Sequence, residues 1–228
     1  MKNLLVFLVV IFTAFASCKP DKITEVVVEG VLLDASSLKP IEGGTVEINT
    51  GTAGLAGTGS AHTKFLEMTT GSDGKFHFEY TIEEGLKYVL YADAPNHYGN
   101  RSIDWSSITY NGETPSNSTN LTLQRKAQIH EIIRLPPQAT LQLRIINVDK
   151  IYDRFGLNAP PGSPYGTGLH HLTGMAVDET HTFTVYGGAE IILNTFRYRP
   201  GDGPEDGDHV QVPVICKAHD VTEYTIEY

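Results

Sequence analysis

Nine histidines and one dense group of acids are the residues of this chain best suited to chemistry. The histidines are His62, His77, His97, His130, His170, His171, His181, His209 and His219. Metal hydrolases bring two histidines together at helical i, i+4 spacing, or on neighbouring strands beside a carboxylate. No His-Glu-x-x-His motif occurs here. His170 and His171 are adjacent, so on a strand they point to opposite faces and cannot both chelate one ion. His77 and His130 fall on the polar faces of candidate strands. The set is therefore expected to serve as surface or hydrogen-bonded side chains ahead of a zinc or iron site, and no cofactor is expected. The stretch "PGDGPEDGDH" gathers Asp202, Glu205, Asp206 and Asp208 into one loop. Such oxygen-rich clusters bind calcium, but the spacing is not that of an EF-hand. The competing reading is a solvated turn kept polar by Gly and Pro.

A second candidate lies in "NHYGNRSIDWSSITYNGETPSNSTN", a long polar segment holding the single tryptophan, Trp105, between Tyr98 and Tyr110. If exposed, these rings can stack on sugar C–H faces while Arg101 and Asp104, with Asn111, bond hydroxyls. Alternatively Trp105 plugs the open end of a sandwich, or the loop contacts protein. The glycine-rich "NTGTAGLAGTGSAHT" lacks the Lys of a phosphate-binding loop and the helix that must follow it. It reads as a flexible connection. No Gly-x-Ser-x-Gly elbow occurs. Cys216 stands beside Val214 and Ile215 in a strand-like run, a poor place for a reactive thiolate, and is expected to pack as a small hydrophobe. No catalytic residue is assigned. Paired carboxylates for glycoside cleavage stay open as an alternative, although two small sandwiches leave little room for a deep cleft.

The elements that must position these residues are strands. In "KFHFEYTI", Phe76, Phe78, Tyr80 and Ile82 alternate with Lys75, His77, Glu79 and Thr81, the period-two pattern of a sheet with one buried face. The preceding "GSDG" carries an Asp-Gly turn signal of the hairpin kind, since such turns need positive φ. "EVVVEGVLLD", "TVEINT", "KFLEMTT", "LKYVLYADA", "NLTL" and "IHEIIRL" complete a first set. After "RLPPQ" a second set follows: "TLQLRIINV", "HTFTVYG", "EIILNTFRYR", "HVQVPVI" and "TEYTIEY". No long amphipathic helix and no 20–50-residue repeat is visible. The fold class is all-β, with two tandem antiparallel β-sandwiches over residues 23–137 and 138–228.

The first set resembles the transthyretin-like, carboxypeptidase-regulatory-like sandwich. The residues that carry the likeness are Gly30, Asp34, Pro40, Ile41, Gly43, Gly44, Val46, Ile48, Thr70, Asp73, Gly74, Lys75, Phe76, Phe78, Tyr88 and Tyr98. The resemblance implies a fold, and a module commonly used as a spacer or accessory domain; it brings no activity. In the second set, Cys216, Asp220, Thr222 and Tyr224 resemble the ending of two-domain Bacteroidota lipoproteins of uncharacterised function.

The N-terminus bears on location. Lys2 precedes an uncharged run from Leu4 to Ala16, shorter than the about 20 apolar residues that span a bilayer and suited to a secretory leader. Ala16-Ser17-Cys18 resembles the lipobox of bacterial lipoproteins, with Phe15 where Leu is usual and Ser17 where Gly or Ala is usual. The resemblance implies a signal peptide over 1–17, lipid on Cys18, a tether over 18–22 and an outer-membrane location, with the cell surface favoured over the periplasmic face. The competing readings are an ordinary cleaved signal peptide, a signal-anchor helix, and a Cys18–Cys216 disulfide. Cleavage would remove Lys2 alone, leaving 16 basic and 27 acidic residues and a net charge of −11. That balance argues against nucleic acid and anionic headgroups as partners. The expected function is a membrane-anchored envelope protein, not an enzyme, with a binding or assembly role toward a protein or glycan. Glycan binding through loop 97–112 and a metal- or carboxylate-dependent hydrolase are the alternatives.

Overall fold

The computed structural model describes residues 25–52, 63–83, 86–99, 110, 115, 128–160 and 170–228. Cys18, Arg101, Asp104, Trp105, Asn111 and the expected strand "NLTL" lie outside these residues. The described chain is all-β. The first half comprises β1 (Glu25–Asp34), β2 (Thr45–Thr52), β3 (Thr63–Thr69), β4 (Lys75–Thr81), β5 (Leu86–Asp93) and β6 (Gln128–Leu135). The second comprises β7 (Gln138–Ile146), β8 (Arg154–Leu157), β9 (His170–Thr173), β10 (Asp178–Tyr186), β11 (Ala189–Tyr198), β12 (Asp208–Cys216) and β13 (Val221–Glu227).

Each half contains two sheets, ordered β4-β1-β6 with β3-β2-β5, and β10-β7-β13 with β12-β11-β8-β9. The pairing is antiparallel except for one parallel pair per half, β1 with β6 and β7 with β13. In both halves the first strand is central to its sheet, and the last strand runs alongside it. The alternation of β4 is borne out: Phe76 and Phe78 are buried while Lys75, His77 and Glu79 face out. In β7, Leu141, Leu143 and Ile145 turn inward. Burial of these faces removes apolar surface from water at roughly 25 cal/mol per Å². The buried side chains form one cluster that runs through both halves.

Two local expectations change. The Asp-Gly turn exists, with Gly74 at φ 67° and its N–H donated to Gly71 O. However, β3 pairs with β2 and β4 with β1, so the turn crosses between sheets and does not close a hairpin. Gly74 O accepts from Leu32 N–H, and a Cβ there would come within 2.6 Å of Leu32 O. The positive φ and the close backbone approach together demand glycine here. The short strands β8 and β9 were not anticipated, because four residues are too few to display a period. At Gly30, a Cβ would lie 2.0 Å from Glu131 O, so β1 and β6 can pair in this register only without a side chain.

Candidate functional site: a carboxylate–dihistidine cluster at the junction

The two halves meet around the segment Pro136-Pro137-Gln138. Proline has no N–H to give a sheet, but its carbonyl still accepts. Tyr98 N–H donates to Pro136 O and Gly187 N–H to Pro137 O. Gln138 then ties three points together. Its N–H donates to Asn96 O, its carbonyl accepts from His219 N–H, and its side-chain amide donates to His97 O. Gln138 thereby fixes the backbone of two histidine-bearing loops, one from each half.

Asp34, at the C-terminal end of β1, receives both rings. His97 Nε2 lies 3.1 Å and His219 Nε2 3.0 Å from Asp34 Oδ2. The other carboxylate oxygen, Oδ1, accepts from Ser36 N–H at 3.0 Å, Ser36 Oγ–H at 2.7 Å and Ser37 N–H at 2.6 Å. This is the turn-forming habit of Asp, whose short side chain bonds the backbone two or three residues on. The side chains of Asp34 and His97 are 7 % and 8 % exposed, and that of His219 is 41 % exposed. Burial alone would raise the Asp34 pKa. Hydrogen bonds from His97, the Ser37 amide, Ser36 and His219 outweigh it and hold the carboxyl well below the usual range.

His97 has a second commitment. Its Nδ1 lies 2.8 Å from Pro95 O, an atom that only accepts. Both ring nitrogens therefore face oxygen acceptors, and a neutral imidazole carries one N–H. The rings of His97 and His219 meet edge-on at 4.8 Å. Three of the four non-glycine residues with positive φ among the described residues flank this cluster: Leu38, Asn96 and His219, each at φ 58°. Such conformations are uncommon outside glycine and collect where surrounding contacts enforce them. A polar cavity of about 290 Å³, lined in part by Asn96, Thr140, Thr184 and Asp220, opens beside His219.

The residues singled out from sequence fare differently. Tyr98 and Tyr110, expected on an exposed sugar-stacking loop, are buried at this same junction at 7 % and 5 % exposure. The Tyr98 ring packs edge-on against Tyr186 at 4.6 Å, and Tyr110 donates its hydroxyl to Gly187 O at 2.9 Å. Burial, and to a lesser degree Tyr186, pushes both phenols above their ordinary pKa. Neither ring presents a face to a glycan. The acids of the 200–209 loop are not gathered around one point. Asp202 Oδ2 accepts from Arg199 N–H and Asp206 Oδ2 from Gly203 N–H, each closing its own turn. Asp208 Oδ2 accepts from Tyr152 Oη–H, and Glu205 is exposed. Among the described residues, Asp34, His97 and His219 are the one group of three or more potential ligands whose donor atoms all lie within 4.8 Å of one another. His77 and His130 sit on exposed strand faces, as expected, and flank Glu29. Cys216 is a free, fully buried thiol; burial raises its pKa and a hydrogen bond with Thr222 partly offsets this.

No protein-family model matches this chain, and no curated protein does. Among solved structures it is similar to GBS52, the minor pilin of Streptococcus agalactiae, at 14 % identity over 89 % of this chain and 94 % of that one, with a TM-score of 0.34. It is also similar to the shaft pilin SpaA of Lactobacillus rhamnosus GG, at 11 % identity over 90 % and 97 %, TM-score 0.31. A streptococcal ancillary pilin aligns at 10 % identity over 90 % and 62 %, TM-score 0.35. Among the described residues, no helix is long and apolar enough to cross a membrane.

Proposed function

We propose that this chain is a lipid-anchored cell-envelope protein with a non-catalytic binding or assembly role, held at the outer membrane through Cys18. Residues 23–137 would form the membrane-proximal unit, the one that resembles transthyretin-like sandwiches, and residues 138–228 the distal one. The observation that carries this reading is the bonded junction. Linked domains move relative to one another by default unless the interface is extensive. Here a continuous apolar core, the Pro136–Gln138 backbone bonds and the Asp34 cluster join the halves. A stiff body on a short tether suits holding a partner at a fixed reach from a surface.

The test is expression of the full chain in a lipoprotein-processing Gram-negative host fed an alkyne palmitate. Wild type is expected to take up label and to sediment with outer membranes, and Cys18→Ser to do neither. Label retained by Cys18→Ser, or absent from wild type, overturns the anchor. Turnover of a glycoside or ester substrate by purified wild type would overturn the non-catalytic role.

A further inference from the structure

We infer that Asp34, His97 and His219 form a binding site for a divalent transition-metal ion of the zinc class, which clamps the two halves of the chain together. Two imidazole nitrogens and a carboxylate oxygen are a donor set suited to zinc and its first-row neighbours. Metal–nitrogen and metal–oxygen bonds of about 2.0–2.2 Å put neighbouring ligands about 3 Å apart at right angles and about 3.4 Å apart at the tetrahedral angle. The 3.1 and 3.0 Å separations of Asp34 Oδ2 from the two Nε2 atoms already fall in that range.

The surroundings are those that orient metal ligands. A ligating histidine commonly donates its other N–H to a backbone carbonyl, and a ligating carboxylate is itself hydrogen-bonded. His97 does the first through Nδ1 and Pro95 O, and with an ion in place of the Nε2 proton its Nε2 lone pair would point at the cluster. Asp34 does the second through Oδ1 and the two serines. An ion in place of the second His97 proton satisfies both nitrogens at once. It also supplies positive charge to a carboxylate that burial would otherwise penalise. His219 is the adjustable ligand: its side chain is the most exposed of the three, and the residue lines the 290 Å³ cavity. Asp34 and His97 come from the first half and His219 from the β12–β13 turn of the second, so a bound ion bridges them.

The test uses the full chain, purified in detergent without a polyhistidine tag and stripped with chelator, titrated calorimetrically with Zn²⁺. One ion per chain is expected, with a rise in the melting midpoint. His219→Ala removes an exposed ring and should fold; it is expected to weaken binding about tenfold or more and to lose the thermal shift. His130→Ala, which alters the exposed histidine pair flanking Glu29, is expected to bind as wild type does. Absence of saturable binding by wild type overturns the site. So does binding that survives His219→Ala unchanged, or binding removed by His130→Ala instead.

Discussion

Two of the carboxylates on strand β1, Glu29 and Asp34, stand five positions apart, and each meets two histidines. At Glu29 the partners are His77 from β4 and His130 from β6, directly across the sheet in register. At Asp34 they are His97 and His219, brought in by loops from both halves. The composition is nearly the same, but the surroundings are opposite. Glu29 and its partners are 44–69 % exposed, and one ring lies 2.8 Å and the other 3.4 Å from the carboxylate. Water competes there for every bond, so exposed pairs of this kind add little to stability. Asp34 is buried, three further donors pin its second oxygen, and loss of one partner strands another. The difference teaches that a histidine–carboxylate group gains structural weight from burial and outer hydrogen bonds, not from its residue list.

Breaking the buried cluster has the largest expected effect. Asp34→Ala should lower unfolding free energy by about 3–5 kcal/mol, the range for removing one member of a buried ionic group; urea unfolding checks this. Beside it, Tyr110→Phe removes a buried hydrogen bond to Gly187 O and should cost about 1 kcal/mol. Glu29→Ala should cost no more than about 1 kcal/mol in the same assay. A larger loss at Glu29 than at Asp34 would reverse the comparison.

The pH responses sharpen it. The Asp34 pKa is depressed in the folded chain, so its contribution is complete above the ordinary value of 3.8 and is lost as pH falls below it. Stability measured downward from about pH 5 should fall less steeply in Asp34→Asn than in wild type. His77 is shifted the other way: hydrogen bonds that its ring N–H groups donate to Glu79 and then Glu29 outweigh a lowering by desolvation and raise its pKa above 6.5. Its contribution is present below 6.5 and fades as pH climbs through the raised value. Imidazole NMR titration should place the His77 midpoint above 6.5, with Glu79→Gln lowering it more than Glu29→Gln.

Much of the scaffold was legible in the sequence because it is periodic. Phe76 and Phe78 alternate with exposed neighbours, as do Leu141, Leu143 and Ile145, and each pattern specified a buried face. The burial of Cys216 was legible from its apolar neighbours. The cluster was not, because its members stand 63 and 185 residues from Asp34 and meet only through tertiary packing. Asp34 was visible only as one position of a fold resemblance, and His97 and His219 only as two histidines among nine. The one local signal was the Asp-Ala-Ser-Ser sequence of residues 34–37, which suits a carboxylate capping its own turn. Tyr98 and Tyr110 misled for a related reason. An aromatic in a polar segment looks the same whether it faces solvent or a distant strand, and here the partners are Tyr186 and Gly187 in the other half.

A pair of double-mutant cycles on metal-free protein tests the central claim most directly. One combines Asp34→Asn with His97→Gln, the other Glu29→Gln with His130→Gln, each read by urea unfolding. The account predicts a coupling energy of about 2 kcal/mol or more for the buried pair and about 0.5 kcal/mol or less for the exposed one. Equal couplings, or a larger one at Glu29, would contradict it.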